Sequence, residues 1–228
     1  MAGNDKNDGT TNTTPYKVDG PMELAGNRVA DYTALKNFTV LIVEDEIDII
    51  RAARTAFSEH GTEVIAVDPR HTSNHVYMTR KFQQIGEGRR AVAFVDFDYT
   101  ERTIPRPGRL ERGTVEEPLQ LDGSDVVASI DASRTRKVPG YDRLEAICVR
   151  TSYAAQINPE SPNAKFARAA TLPVHGLAKS GEYGAQGVDW LALYASGNAE
   201  DPLNAAHLER KRTIKDDKKS RLLDLLKD

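Results

Sequence analysis

Four short stretches carry residues that could do chemistry together: Glu44-Asp45, Asp96, Thr151-Ser152 and Lys179. Carboxylates brought into one place repel. A hard divalent cation such as Mg²⁺, which prefers oxygen ligands, relieves that repulsion. It also lowers the cost of bringing a phosphoryl group to a carboxylate nucleophile. A lysine ammonium and a hydroxyl can then hold two phosphoryl oxygens. The chemistry this set would support is formation of an aspartyl phosphate. Singly, each residue has a plainer role. Glu44-Asp45 could be charge at a helix start, Asp96 or Thr151 a cap, and Lys179 a solvated cation.

What could bring them together is a parallel sheet. Asp96 closes the apolar run Ala91-Val-Ala-Phe-Val, which reads as a buried parallel strand. Phe38-Thr-Val-Leu-Ile-Val43 is a second such run and ends on Glu44-Asp45-Glu46. Glu63–Val67, Leu144–Val149 and Leu172–Leu177 complete five strands, the last two leading to Thr151 and Lys179. Helical spacing is expected over Ile47–Glu59, Asn74–Ile85, Ser124–Ile130 with Ser124 as N-cap, Asn163–Ala170 and Val188–Tyr194. Strands alternating with helices predict an α/β protein with a doubly wound five-stranded parallel sheet. Every strand's carboxyl end then lies on one edge, where such folds place their chemistry.

The whole chain sets further bounds. It has 228 residues, 39% hydrophobic and 29% charged, enough for one ordinary domain with appendages. Lys and Arg number 31 against 34 Asp and Glu, so the net charge of −3 lacks the basic excess of a dedicated nucleic-acid binder. The single cysteine, Cys148, has no intrachain partner and lies in an apolar run, so burial is expected. No apolar stretch approaches a membrane span, and the start lacks a basic-then-apolar signal. A cytoplasmic protein is expected, with no membrane insertion and no direct nucleic-acid contact. Residues 1–36 are expected to be a flexible tail and lead-in, poor in apolar residues up to about Met22. Residues 37–196 are the domain, and 197–228 a charged helical extension. Residues 99–121 hold Pro105, Pro107, Gly108, Gly113 and Pro118 without period, and read as a long loop beside Asp96.

In order along the chain, Val-Leu-Ile-Val-Glu44-Asp45-Glu46, Ala-Phe-Val-Asp96, Asp122-Gly123, Val149-Arg150-Thr151-Ser152 and Leu177-Ala178-Lys179 resemble the receiver domain of two-component response regulators. The resemblance covers roughly Phe38 to Tyr194. It implies a flavodoxin-like fold. It implies that Asp96 accepts phosphate from a histidine kinase or phosphotransfer protein in a Mg²⁺-dependent reaction. Asp45 would hold the metal directly and Glu44 through water, with Asp96 and the backbone carbonyl of Asp98 as further ligands. Thr151 would move toward the phosphate as the switch, and Lys179 would pair with it. The chain departs from the pattern at Ser180, where the family usually has proline, and at Gly176, where it usually has an aromatic residue. The expected product is a phosphoacceptor signalling protein rather than a turnover enzyme. It would act on a downstream protein effector through the face that carries Thr151. The C-terminal helix would extend that face or mediate a homodimer.

The stretch Asp96-Phe-Asp98-Tyr-Thr100 also resembles the DxDxT motif of haloacid-dehalogenase-like phosphohydrolases. That resemblance implies Asp96 as nucleophile and Asp98 as general acid/base, with Thr151 or Ser152 and Lys179 on the phosphate. The acidic pair that family carries after its lysine is reduced here to Asp189. A third reading is a degenerate receiver that binds partners without phosphorylation.

Overall fold

The computed structural model describes residues 21–24, 28–97, 99, 122–151, 170–179, 182–205, 209, 213 and 216. Strands β1 (Pro21–Leu24) and β2 (Arg28–Asp31) form an antiparallel pair. A 3-10 turn over Tyr32–Asn37 follows, capped by Asp31, whose carboxylate accepts from the Thr33 and Ala34 amides. Ala30 and Leu35 are fully buried. These residues fall within the lead-in for which no regular structure was expected.

The main sheet has five strands: β3 (Phe38–Val43), β4 (Glu63–Val67), β5 (Arg90–Asp96), β6 (Leu144–Thr151) and β7 (Val174–Ala178). All pairings are parallel, in the order β4-β3-β5-β6-β7. This is the doubly wound, flavodoxin-like arrangement. All six residues of β3 are buried, as a strand must be when both faces of its sheet are covered. The helices are α1 (Ile47–Ser58), α2 (His75–Gln83), α3 (Gly123–Thr135) and α4 (Tyr183–Ala195).

Side-chain alternation divides the interior into two cores. Leu41, Val43, Ala93, Val95, Ile147 and Val149 pack with Met78 and Phe82 of α2 and Val126, Val127 and Ile130 of α3. Val40, Ile42, Val92, Phe94, Ala146 and Cys148 pack with Ile50, Ala53 and Phe57 of α1 and Val188, Trp190 and Leu191 of α4. Cys148 is fully buried, and burial pushes its thiol well above the usual range. The N-terminal pair closes on the end of this second layer. The Val29 carbonyl accepts from the Ser196 hydroxyl and, at 3.1 Å, from the Asn198 side-chain amide. The Tyr32 hydroxyl donates to Asp189 at 2.7 Å.

Element positions follow the expected pattern, with differences at the ends. Helix α3 starts at Gly123 and runs 13 residues, well past Ile130. Its cap is Asp122, not Ser124. The Asp122 Oδ1 accepts from the Ser124 amide at 2.8 Å and the Asp125 amide at 3.1 Å, so this aspartate satisfies two otherwise orphaned donors. Helix α4 begins at Tyr183, ahead of the expected Val188, because Gly184 and Gly187 weaken the helical signal while packing demands them. The last strand is Val174–Ala178. Residues 163–169 of the expected helix and 100–121 of the expected loop lie outside the described residues, as does most of the C-terminal extension. Among the described residues no helix is long and apolar enough to cross a membrane.

Gly184 marks the close approach of α4 to α1. A Cβ there would lie 2.6 Å from the Ala56 Cβ and 3.1 Å from the Ala52 carbonyl oxygen. Gly184→Ala gains about 1 kcal/mol of helix propensity. The overlap forces the helices apart and costs about 1–3 kcal/mol. A net loss of stability is expected in chemical denaturation, and a gain would show that α4 can shift freely.

Candidate functional site

The chain starts its sheet in β3, moves out to β4, and then returns to the other side of β3 with β5. The carboxyl ends of β3 and β5 therefore flank the point where the winding reverses. At such points helices diverge and leave a crevice above the sheet edge. Glu44 follows β3 and Asp96 ends β5, so the two carboxylates meet at this crevice.

Asp96 is 4% exposed. Its Oδ1 lies 2.6 Å from the Lys179 Nζ, the ammonium entering from the residue after β7. The Lys179 amide donates to the Thr151 carbonyl at 3.1 Å, which ties the lysine to the end of β6. Thr151 is fully buried and pairs in register with Ala178. The sheet thus brings Asp96, Thr151 and Lys179 to neighbouring strand ends.

Glu44 is buried, and its two oxygens differ. Oε1 accepts from the Asp45 amide at 2.9 Å and the Glu46 amide at 3.1 Å, shaping the turn into α1. Oε2 is buried with no hydrogen-bond partner among the described residues. Burial pushes the Glu44 carboxyl up to about 8. The neighbouring Asp45 and Asp96 carboxylates add to this, and the two amides oppose it. Asp45 is half-buried beside it.

These groups fit a hard cation by donor chemistry. They are carboxylate oxygens, one of them an orphan inside the protein, and removing water from it without a partner is costly. The convergence itself is incomplete. Among the described residues no group of three His, Cys, Asp or Glu side chains is arranged to hold a metal. Asp98 lies outside the described residues, as do Ser152 and Ser180.

Sequence reasoning passed over three residues around the crevice. Tyr99 has a buried hydroxyl with no partner among the described residues. Burial, and then the carboxylates of Asp96, Glu44 and Asp45, push its phenol far up. Tyr183, the first residue of α4, has a second buried and unpartnered hydroxyl. Burial raises its phenol, and Glu44 adds to the effect. Arg150 is the register partner of Asp96 and is only 8% exposed. Its guanidinium lies over the Tyr183 ring at 4.4 Å. A charged residue inside an apolar strand, one step before Thr151, was the available signal for it.

Gly176 of β7, which stands where the receiver pattern usually has an aromatic residue, pairs with Val149 of β6. The adjacent His175 supplies a ring instead. It packs on Trp190 at 5.2 Å and Tyr194 at 5.8 Å, away from the crevice residues, and its Nδ1 lies 2.9 Å from the Glu200 carbonyl. Burial holds its imidazole below the usual range. Asp189 accepts from Tyr32 on the α1/α4 side.

No family model matches this sequence, and no curated protein matches it. Solved structures do. A response regulator receiver domain protein (CheY-like) from Methanospirillum hungatei JF-1 is 16% identical, with a TM-score of 0.38, covering 71% of this chain and 98% of that one. A sensor protein from Polaromonas sp. JS666 is 18% identical, with a TM-score of 0.37 over 68% of this chain and 95% of that one. The Mn²⁺-bound form of response regulator Rcp1 is 16% identical, with a TM-score of 0.36 over 72% and 98%. At these scores the likenesses carry no argument of their own, and the fold is read from the strand order and register.

Proposed function

We propose that this protein is a receiver for a phosphoryl group, with Asp96 as the acceptor. The observation that carries the reading is the Asp96–Lys179 contact of 2.6 Å at the crevice, with the orphaned Glu44 oxygen in the same place. Asp96 is the only one of these carboxylates that ends a strand of the sheet and meets a lysine there.

An Asp96 oxygen attacks phosphorus and forms a P–O bond. The P–N bond of a phosphohistidine breaks in the same exchange, and the imidazole nitrogen leaves with the electron pair. Lys179 releases its hold on the carboxylate and takes a phosphoryl oxygen, with the Thr151 hydroxyl holding another. Asp45, Glu44, Asp96 and the Asp98 carbonyl would hold Mg²⁺, whose charge would offset that on the phosphoryl oxygens. The donor would be a histidine kinase or a phosphotransfer protein. The phosphorylated form would favour one of two pre-existing states around Thr151, and a downstream protein would read it.

The test is direct. The purified protein is incubated with Mg²⁺ and acetyl phosphate, while intact mass and free phosphate are followed together. One added phosphoryl group that persists for minutes, absent in Asp96→Asn, is the expected result. Rapid phosphate release over many turnovers with little adduct would overturn it in favour of a phosphohydrolase. Neither signal from folded protein would mean a receiver that works without phosphorylation.

A further inference from the structure

Helices α1 and α4 approach closely at Gly184 and Ala56, and residues of both line a groove of about 1120 Å³. Its walls are mainly apolar: Ile49, Ala52 and Ala56 from α1, Tyr183 and Val188 from α4. The volume is slightly above the usual range of small-molecule sites, which are mostly apolar with a few convergent polar groups.

One polar group here is out of the ordinary. Arg150 lines the groove, is only 8% exposed, and makes no ion pair or guanidinium hydrogen bond among the described residues. Its Nε is buried without a partner. The Tyr183 ring covers one face of the guanidinium at 4.4 Å. A buried arginine is normally paired, because an uncompensated charge away from water is expensive. Its register partner, Asp96, is already engaged by Lys179. The fork of donors that suits a carboxylate bidentately thus meets no acceptor among the described residues.

We propose that this groove binds an organic anion with an apolar body, an aliphatic carboxylate whose head group is held by Arg150. The acidic residues of the groove favour a singly charged head over a phosphate. Asp48, Glu59 and Glu182 are exposed around it. Asp48 is paired with Arg51 at 3.3 Å and Asp189 with Tyr32 at 2.7 Å, so neither needs the arginine. A dianionic head would meet stronger repulsion from these carboxylates than a monoanion. The apolar walls take the chain. The Arg150 carbonyl accepts from the Phe97 amide at 3.0 Å, so occupancy of the groove is one residue removed from both Asp96 and Thr151.

The full chain is titrated with decanoate by calorimetry, below the concentration at which decanoate self-associates, with decanol as the uncharged probe. Decanoate is expected to bind at least about 10-fold more tightly than decanol, and Arg150→Gln to weaken decanoate by about 10- to 100-fold while leaving decanol unchanged, as loss of a charged hydrogen-bonded pair does. Ala52→Trp, at an exposed position, is expected to abolish binding of both by filling the groove. Equal affinity for the two probes, or decanoate binding indifferent to Arg150→Gln, overturns the proposal. So does self-association of the unliganded chain that Ala52→Trp abolishes, which would make the occupant a second copy. Phosphorylation of Asp96 is not needed for any arm.

Discussion

Lys179→Met is expected to cost about 3 kcal/mol of stability and to slow phosphorylation of Asp96 by about 100-fold or more. The stability loss arises because the ammonium and Asp96 form a largely buried pair, with side-chain exposures of 20% and 5%. Removing one member of such a pair leaves an uncompensated charge, typically worth about 3–5 kcal/mol. The partial exposure of Lys179 places the expected loss at the low end. The rate loss follows from the loss of one positioned cation at developing phosphoryl charge, about 10²–10³-fold by analogy with other preorganised donors. A double-mutant cycle with Asp96→Asn separates the two effects. The double variant should regain most of the stability and none of the phosphorylation. If Lys179→Met is as stable as the parent, the 2.6 Å contact is not a buried pair in solution.

The second large effect is a dependence on pH with an unusual sign. Glu44 is raised in the folded protein to about 8, against an ordinary value of 4.5. Between these values the folded state binds more protons than the unfolded state, so stability falls as pH rises. Below pH 4.5 the contribution is complete, and it is lost by the time pH passes 8. One such group gives a slope approaching 1.4 kcal/mol per pH unit in that window. His175 acts in the opposite sense. Its folded value lies below 6.5, so stability rises with pH up to about 6.5 and no further. Between pH 7 and 8 the Glu44 effect stands alone of the two. Urea midpoints in metal-free buffer should therefore decline from pH 7 to 8, and Glu44→Gln should flatten the decline. Mg²⁺ should flatten it too in the parent, because a cation favours the ionised carboxylate, and should do less in the variant. A flat profile in the parent without metal would show that Glu44 is hydrated.

The central strands were legible because burial on both faces leaves a continuous apolar run, and the half-exposed edge strand because its residues are mostly apolar and β-branched. Phe38–Val43 and Glu63–Val67 stand where the sequence places them. Helix ends were less legible because caps compete over two or three residues, as Asp122 and Ser124 do. The start of α4 was hidden by Gly184 and Gly187, whose purpose is contact with Ala56 and Phe57 and so appears only in three dimensions. At the site, the acids and the lysine were legible because parallel strands send their ends to one edge. The tyrosines were not. Tyr99 and Tyr183 reach the crevice from a loop and a helix start, where no periodicity says which way a side chain points.

The N-terminal strand pair has a consequence for how the chain is made. Its clasp joins Val29 to Ser196 and Asn198, and Tyr32 to Asp189, contacts separated by 157 to 169 residues. A chain emerging from the ribosome amino end first must carry residues 28–32 without their partners until nearly all of the domain has been synthesised. Contacts this distant in sequence also slow folding, because their closure comes last. The five-stranded sheet can assemble in order, strand by strand, while its first segment waits for its last helix. Vectorial synthesis therefore ends with a fastening step, and any nascent chain stopped short of Asn198 would keep an open amino end exposed to proteases and chaperones.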